Sequence, residues 1–195
     1  MLENILLIFS NPRKFFEKQA KKASYENAKK MLGLIIGILI FSALLLNKNE
    51  IYSTSIDGVE YHPFYLTTYL FYLIIFIAFV IALYFLTKKF SSKTRFERLF
   101  YLQSLAALIF FLVFLVVDII DFILSILWLD NYWLFIGPAS LNGLIYIFSF
   151  FFGVYSFYLS IISLLVLQKI NFIKSTALVF FALLAGFGLF AVFAM

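Results

Sequence analysis

Two carboxylates stand in the most apolar company this chain offers. Asp118 and Asp121 are the acids flanked by apolar residues on both sides, within a run that continues from Leu99 to Leu129. At i and i+3 they share a helix face with Ser104, Ala107 and Ser125. A charge inside a bilayer is expensive, so an acid there is by default a functional site. One turn apart, the pair could hold a proton or a cation. Alternatively both sit at the outer boundary of the span and meet water, which is the reading the span length favours, because about 20 residues from Leu99 end near Asp118.

A second constellation lies on residues 141–167. Asn142, Tyr146, Ser149, Gly153, Ser156, Ser160 and Ser163 recur at alternating spacings of four and three, so one helix face is lined by small or hydroxyl-bearing side chains. Such a face serves close helix packing, because small residues let backbones approach and hydroxyls bond across. A polar solute path is the alternative, but no ionisable group lies on the stripe. Packing is therefore expected at Ser149, Gly153, Ser156, Ser160 and Ser163, and also at Gly33 and Gly37, a shorter small-x3-small pair. Ala78 with Ala82 and Ala182 with Gly186 repeat that spacing.

Other chemistries are excluded by composition. The chain has no cysteine, so it forms no disulfide, thiolate nucleophile or cysteine-held metal. Its one histidine, His62, lies in a loop before Pro63 with no acid or nucleophile placed to help it. No H-E-x-x-H motif occurs, and Ile136–Ser140 (IGPAS) lacks the histidine that a serine nucleophile needs. The expectation is a non-enzymatic protein with no cofactor and no bound metal.

The elements that position these residues follow from hydropathy. Of 195 residues, 65% are hydrophobic and 13% are charged, against about 45–50% and about 25% in soluble domains. The excess falls in five long runs: 31–46, 64–86, 99–118 with an extension to 129, 141–167 and 176–194. The fold class is all-α, a polytopic bundle of five transmembrane helices. The third run either continues as one long helix or bends along the outer interface after Asp118, and the bend is the expectation. The fourth helix should be central, because its small-residue face accepts close neighbours. Residues 1–30 form an N-terminal segment. Met1–Ser10 lacks the charged start and cleavage site of a signal peptide. Asn11-Pro12 opens a basic helix, Arg13 to Lys30, whose Phe15 and Phe16 suit an amphipathic segment at a membrane surface. Ile51–Tyr61 alternates around Asp57-Gly58, a hairpin signal, and Trp128 with Asn131–Trp133 suits an outer aromatic belt.

The charge of +5 serves orientation rather than nucleic-acid binding. Lys and Arg number seven in residues 1–30, one in 47–63, five in 87–98, none in 130–140 and two in 168–175. This asymmetry places the N-terminus inside and the C-terminus outside. The inner surface, with Arg13, Lys14, Lys18, Lys88, Lys89 and Arg95, is a contact surface for anionic lipid head groups or for a membrane or cytoplasmic protein partner. Composition leaves the oligomeric state open, a homo-oligomer included.

The segment Asn11-Pro-Arg-Lys-Phe-Phe-Glu-Lys18, five spans with the N-terminus inside, Arg95–Tyr101 (RFERLFY) and the block Val154–Ala177 with its turn Gln168-Lys169-Ile170-Asn171 together resemble the Yip family. These are the Ypt/Rab-GTPase-interacting membrane proteins and their prokaryotic relatives. The resemblance covers essentially the whole chain. It implies a five-helix integral membrane protein, similar to organisers or trafficking adaptors and without an assigned catalytic activity, in the cell membrane for a prokaryotic-type member. The alternative from another class is a small transporter or channel using Asp118 and Asp121.

Overall fold

The computed structural model describes residues 2–47, 54–56, 59–61, 65–89, 94–126 and 141–194. Its first cap forms where the sequence breaks. Asn11 Oδ1 accepts from the Lys14 amide at 3.1 Å, and Pro12 takes the first helical position. Helix α1 (Leu2–Ser10) ends at this cap and α2 (Pro12–Ala20) starts from it. The single helix expected over Arg13–Lys30 is divided. Residues 21–24 leave helical structure, and Ser24 Oγ accepts from the Asn27 amide at 3.3 Å, which caps α3 (Tyr25–Asn47). The first long helix therefore takes in Lys29 and Lys30 and starts before Met31.

Strands β1 (Thr54–Ile56) and β2 (Val59–Tyr61) pair antiparallel with Ile56 opposite Val59, leaving Asp57-Gly58 as the two-residue connection. Four long helices follow: α4 (Tyr65–Lys88), α5 (Phe96–Ile126), α6 (Leu141–Gln168) and α7 (Phe172–Ala194). The turn between α6 and α7 is closed from both sides. Lys169 adopts φ 54°, its amide bonds to Leu165 O at 2.9 Å, and Asn171 Oδ1 caps α7 by accepting from the Lys174 amide at 2.9 Å.

Apolar stretches of 21, 20, 25 and 22 residues on α3, α4, α5 and α6 are each long enough to cross hydrocarbon, which needs about 20 residues. Helix α7 has 23 residues and is apolar over Phe172–Gly188. Outward-facing side chains are apolar too: Phe150 is 68% exposed and Phe85 65%. A surface like this is stable only against lipid, and the chain is a multi-pass helical membrane protein.

Two expectations about the long helices fail. Helix α5 runs unbroken through Asp118 and Asp121 to Ile126, so there is no helix end after Asp118. With neither Gly nor Pro between residues 96 and 126, nothing in that segment imposes a break. Nor is α6 the hub. Helix α5 touches α2, α3, α4 and α6, whereas α6 packs on α2, α5 and α7. Leu99, Leu102, Gln103, Ser104 and Ala106 are fully buried on α5, so its side chains fill the space between its neighbours.

Gly33 and Gly37 are also corrected. Both are exposed, and a Cβ added at either meets nothing within 4 Å. The packed face of α3 carries Ile35, Ile38, Leu39, Ser42 and Ala43, and helical periodicity puts the two glycines opposite it. The close approach falls at Gly186 instead, whose Cβ position lies 3.5 Å from Ile75 O and Phe79 N on α4, with Ala182 fully buried one turn earlier.

Candidate functional site

Polar groups inside the bundle gather in two clusters at opposite ends of α5. Near its start, Gln103 donates through Nε2 to Ser163 Oγ at 2.9 Å and to Ser160 O at 3.3 Å on α6. Ser156 Oγ donates to Ala106 O at 2.8 Å, also between α6 and α5. Ser160 Oγ donates to Ser156 O at 3.1 Å, and Ser163 Oγ to Ser160 O at 2.9 Å. Every one of these hydroxyl protons is committed to a main-chain carbonyl. Gly153 faces Phe110, whose ring lies 3.5 Å from the Cβ position, and Ser149 is half-buried. The adjoining space of about 350 Å³ is walled mainly by aromatic and aliphatic side chains such as Phe76, Phe79 and Phe157. Chemically this face joins helices. The side chains of Asn142 and Tyr146 lie outside the described residues.

Gln103 is a site residue not singled out from sequence, although an amide in an apolar span is itself a signal. Gln103 Oε1 and Ser104 Oγ are buried with no hydrogen-bond partner. Each such group carries a desolvation cost of about 1–3 kcal/mol.

The second cluster surrounds Asp118, which is 4% exposed rather than open to water. Tyr69 on α4 donates its hydroxyl to Asp118 Oδ2 at 2.7 Å. Ser42 on α3, 1% exposed, turns its hydroxyl toward the same carboxyl group without closing a bond of normal geometry. Three helices thus meet at one acid near the hairpin end of the bundle. Its partners here are hydroxyl groups, whereas the Arg13–Glu17 ion pair lies on α2. The side chains of Asp121 and Ser125 lie outside the described residues, as do His62, Trp128 and the segment Asn131–Trp133. Asp118 is separated from Gln103 by 15 residues of α5, about 22 Å, and its partners sit on α3 and α4 instead of on the α6 stripe.

The basic residues collect at the other end. Arg13 and Lys14 on α2 are exposed, Arg13 paired with Glu17 at 3.2 Å, and Lys18 is exposed beside them. Lys88 closes α4 with its ammonium 5.8 Å from the Tyr84 ring centre, and exposed Lys89 and Arg95 follow in the same connection. Three bonds fix these segments together. Tyr101 on α5 donates to Gln19 Oε1 on α2 at 3.0 Å, Tyr155 on α6 donates to Ile8 O on α1 at 2.7 Å, and Gln168 donates to Thr94 Oγ1. Phe9 stacks on Tyr155 at 5.5 Å. Phe16 is fully buried and Phe15 6% exposed, so the apolar side of the basic amphipathic helix packs on α6 and α5 rather than into the membrane surface. A phenylalanine pair fits lipid and protein equally well; the long-range partners Tyr101 and Tyr155 decide the matter here.

Among the described residues there is no group of three or more His, Cys, Asp or Glu that could hold a metal. No curated protein and no solved structure matches the chain. A family model described as the Yip1 domain matches residues 6–195, a range that starts within α1 and includes the docked α2, the hairpin and all five long helices. With the match extending over nearly the whole chain, this protein of five long helices belongs to the Yip1-domain family.

Proposed function

We propose that this protein is a non-enzymatic membrane organiser or adaptor whose working surface is its basic end. The observation that carries the reading is the docking of α1 and α2. Tyr101 and Tyr155 hold them against α5 and α6, so Arg13, Lys14 and Lys18 stand on a fixed platform at the end of the bundle where Lys88, Lys89 and Arg95 also lie. A rigid basic face suits anionic head groups or an acidic protein surface. The same asymmetry of Lys and Arg supports an orientation with the N-terminus in the cytoplasm and the C-terminus outside, in the cell membrane of a prokaryotic-type member.

The transporter reading finds less support. Its two polar clusters lie about 22 Å apart on α5, and the hydroxyls of the α6 stripe already donate to carbonyls. The adaptor reading is tested with a photo-crosslinking residue at Lys14 or Lys89 in the full chain in its native membrane, with Ser55 in the hairpin as control. The expected result is a discrete protein adduct at the first two positions that disappears when Arg13, Lys18 and Lys88 are changed to Gln. Equal adducts at Ser55, or none at Lys14 and Lys89, overturns it.

A further inference from the structure

A cleft of about 450 Å³ opens between α2 and the end of α6. Leu165, Val166 and Ile170 give it an apolar side, and Arg13, Glu17 and Lys169 bring charge to it. Arg13 Nε donates to Glu17 Oε1 at 3.2 Å. That bond matches the acid and steadies the guanidinium while using one of its five donors. Lys169 makes no ion pair among the described residues. The lining therefore carries one unmatched positive charge, with donors on two elements far apart in sequence.

Backbone geometry sets Lys169 apart. It adopts φ 54°, the one positive φ among the described non-glycine residues. This position follows the last residue of α6, where glycine is the usual occupant because a Cβ is strained in the left-handed region. The Lys169 amide bonds to Leu165 O at 2.9 Å, which fixes where the side chain leaves the helix end. A lysine held in this conformation at the wall of a charged cleft points to a use for its side chain.

Depth selects the ligand. The apolar stretch of α6 covers 22 residues, Ile147–Gln168, and Lys169 comes next. Hydrocarbon takes about 20 residues of helix, so the cleft straddles its edge. Leu165 and Val166 lie on the apolar side, with Lys169 at the level of the head groups and Arg13 across the cleft from it. The anion that every phospholipid brings to that level is its phosphate. A phosphodiester carries one negative charge, the complement of the one unmatched positive charge in the lining. Its two unesterified oxygens can accept from Arg13 and Lys169 together.

We propose that the α2–α6 cleft binds the phosphate of an anionic phospholipid, with Arg13 and Lys169 as its ligands; this rests on the basic end being the working surface of the protein. The test is native mass spectrometry of the full chain in neutral detergent. The titrants are phosphatidylglycerol and a diacylglycerol with the same acyl chains, which lacks the phosphate. Retained phosphatidylglycerol is expected, with no diacylglycerol at matched concentration. Lys169→Gly should lower the affinity about fivefold, the scale of one exposed ion pair. Its melting temperature should stay level or rise, because glycine suits φ 54°. Lys22→Gln removes an exposed charge from the same end of the chain, outside the cleft lining, and should leave the affinity alone. Neither inorganic phosphate nor a polyglutamate peptide should displace the lipid at equal concentration. Equal retention of diacylglycerol, or an affinity unmoved by Lys169→Gly or moved as far by Lys22→Gln, overturns the proposal. So does a lower melting temperature in Lys169→Gly, or displacement by either competitor. Crosslinking at Lys14 and Lys89 does not involve Lys169, so adducts that persist in Lys169→Gly leave the adaptor reading standing when this site fails, and lipid binding without adducts fails the adaptor reading alone.

Discussion

Tyr69 and Asp118 are joined by a 2.7 Å hydrogen bond that links α4 to α5 across 49 residues of sequence. Both groups lie buried near the hairpin end of the bundle. Tyr69→Phe removes the donor and leaves Asp118 buried with one partner fewer, a loss expected at about 1–3 kcal/mol. Asp118→Leu in the same background should recover part of that loss, because the orphaned acceptor goes with it. Thermal unfolding of the single and double variants in detergent gives the coupling directly; strictly additive losses would contradict it.

Gly186 makes a different demand. Gly186→Ala should be near neutral, since its Cβ position has ordinary contacts at 3.5 Å. Gly186→Leu drives a branched side chain into the α4 backbone, and overpacking of this kind costs about 1–3 kcal/mol. Gly33→Leu, facing open space, should stay within about 0.5 kcal/mol of the parent. A melting series across the three variants checks the order.

The interior of the α5–α6 contact can be probed at Ser156. Ser156→Ala loses one interhelical bond, for which membrane proteins average about 0.6 kcal/mol. Ser160→Leu inserts bulk at a buried position and should cost more, about 1–3 kcal/mol. The fitting control is exposed Phe150. Denaturant-induced unfolding in mixed micelles distinguishes the two magnitudes.

Docking of the N-terminal helices depends on Phe16, which has no exposed surface. Phe16→Ala should weaken the platform by on the order of 3 kcal/mol. Trypsin should then cut faster after Lys14, Lys18 and Lys21 while the long helices stay intact, and gel mass analysis of the fragments reads the difference. Unchanged cleavage would mean that Tyr101 and Tyr155 suffice to hold α2.

Transport is tested separately. Purified protein in liposomes should give no proton or cation flux above empty vesicles, and Asp118→Asn with Asp121→Asn should change nothing. A flux abolished by the double substitution would restore the transporter reading.

What the sequence reveals and conceals divides along physical lines. Local signals carry well: Asn11 caps α2, and the strands on either side of Asp57-Gly58 pair as a hairpin. Long apolar runs mark the helices because lipid leaves few alternatives. The facing of those helices is harder to read. Gly33 and Gly37 share a face by spacing, but spacing does not say whether that face turns inward, since an apolar residue suits lipid and core alike. The same ambiguity hid the burial of Phe15 and Phe16. Asp118 is conspicuous as an intramembrane acid, yet its partners Tyr69 and Ser42 come from helices whose approach only the packed bundle defines.

The bond from Tyr155 to Ile8 also carries a consequence for biosynthesis. Its two ends are separated by 147 residues. At a translation rate of about 5–20 residues per second, the receiving surface on α6 is made roughly 7–30 s after α1. For that interval Phe15 and Phe16 have no α6 to cover them, though their own helix is already made. Helices α1 and α2 therefore settle only once α6 has been made, and the nascent chain has to keep them in waiting, against lipid or a chaperone, until their seat arrives.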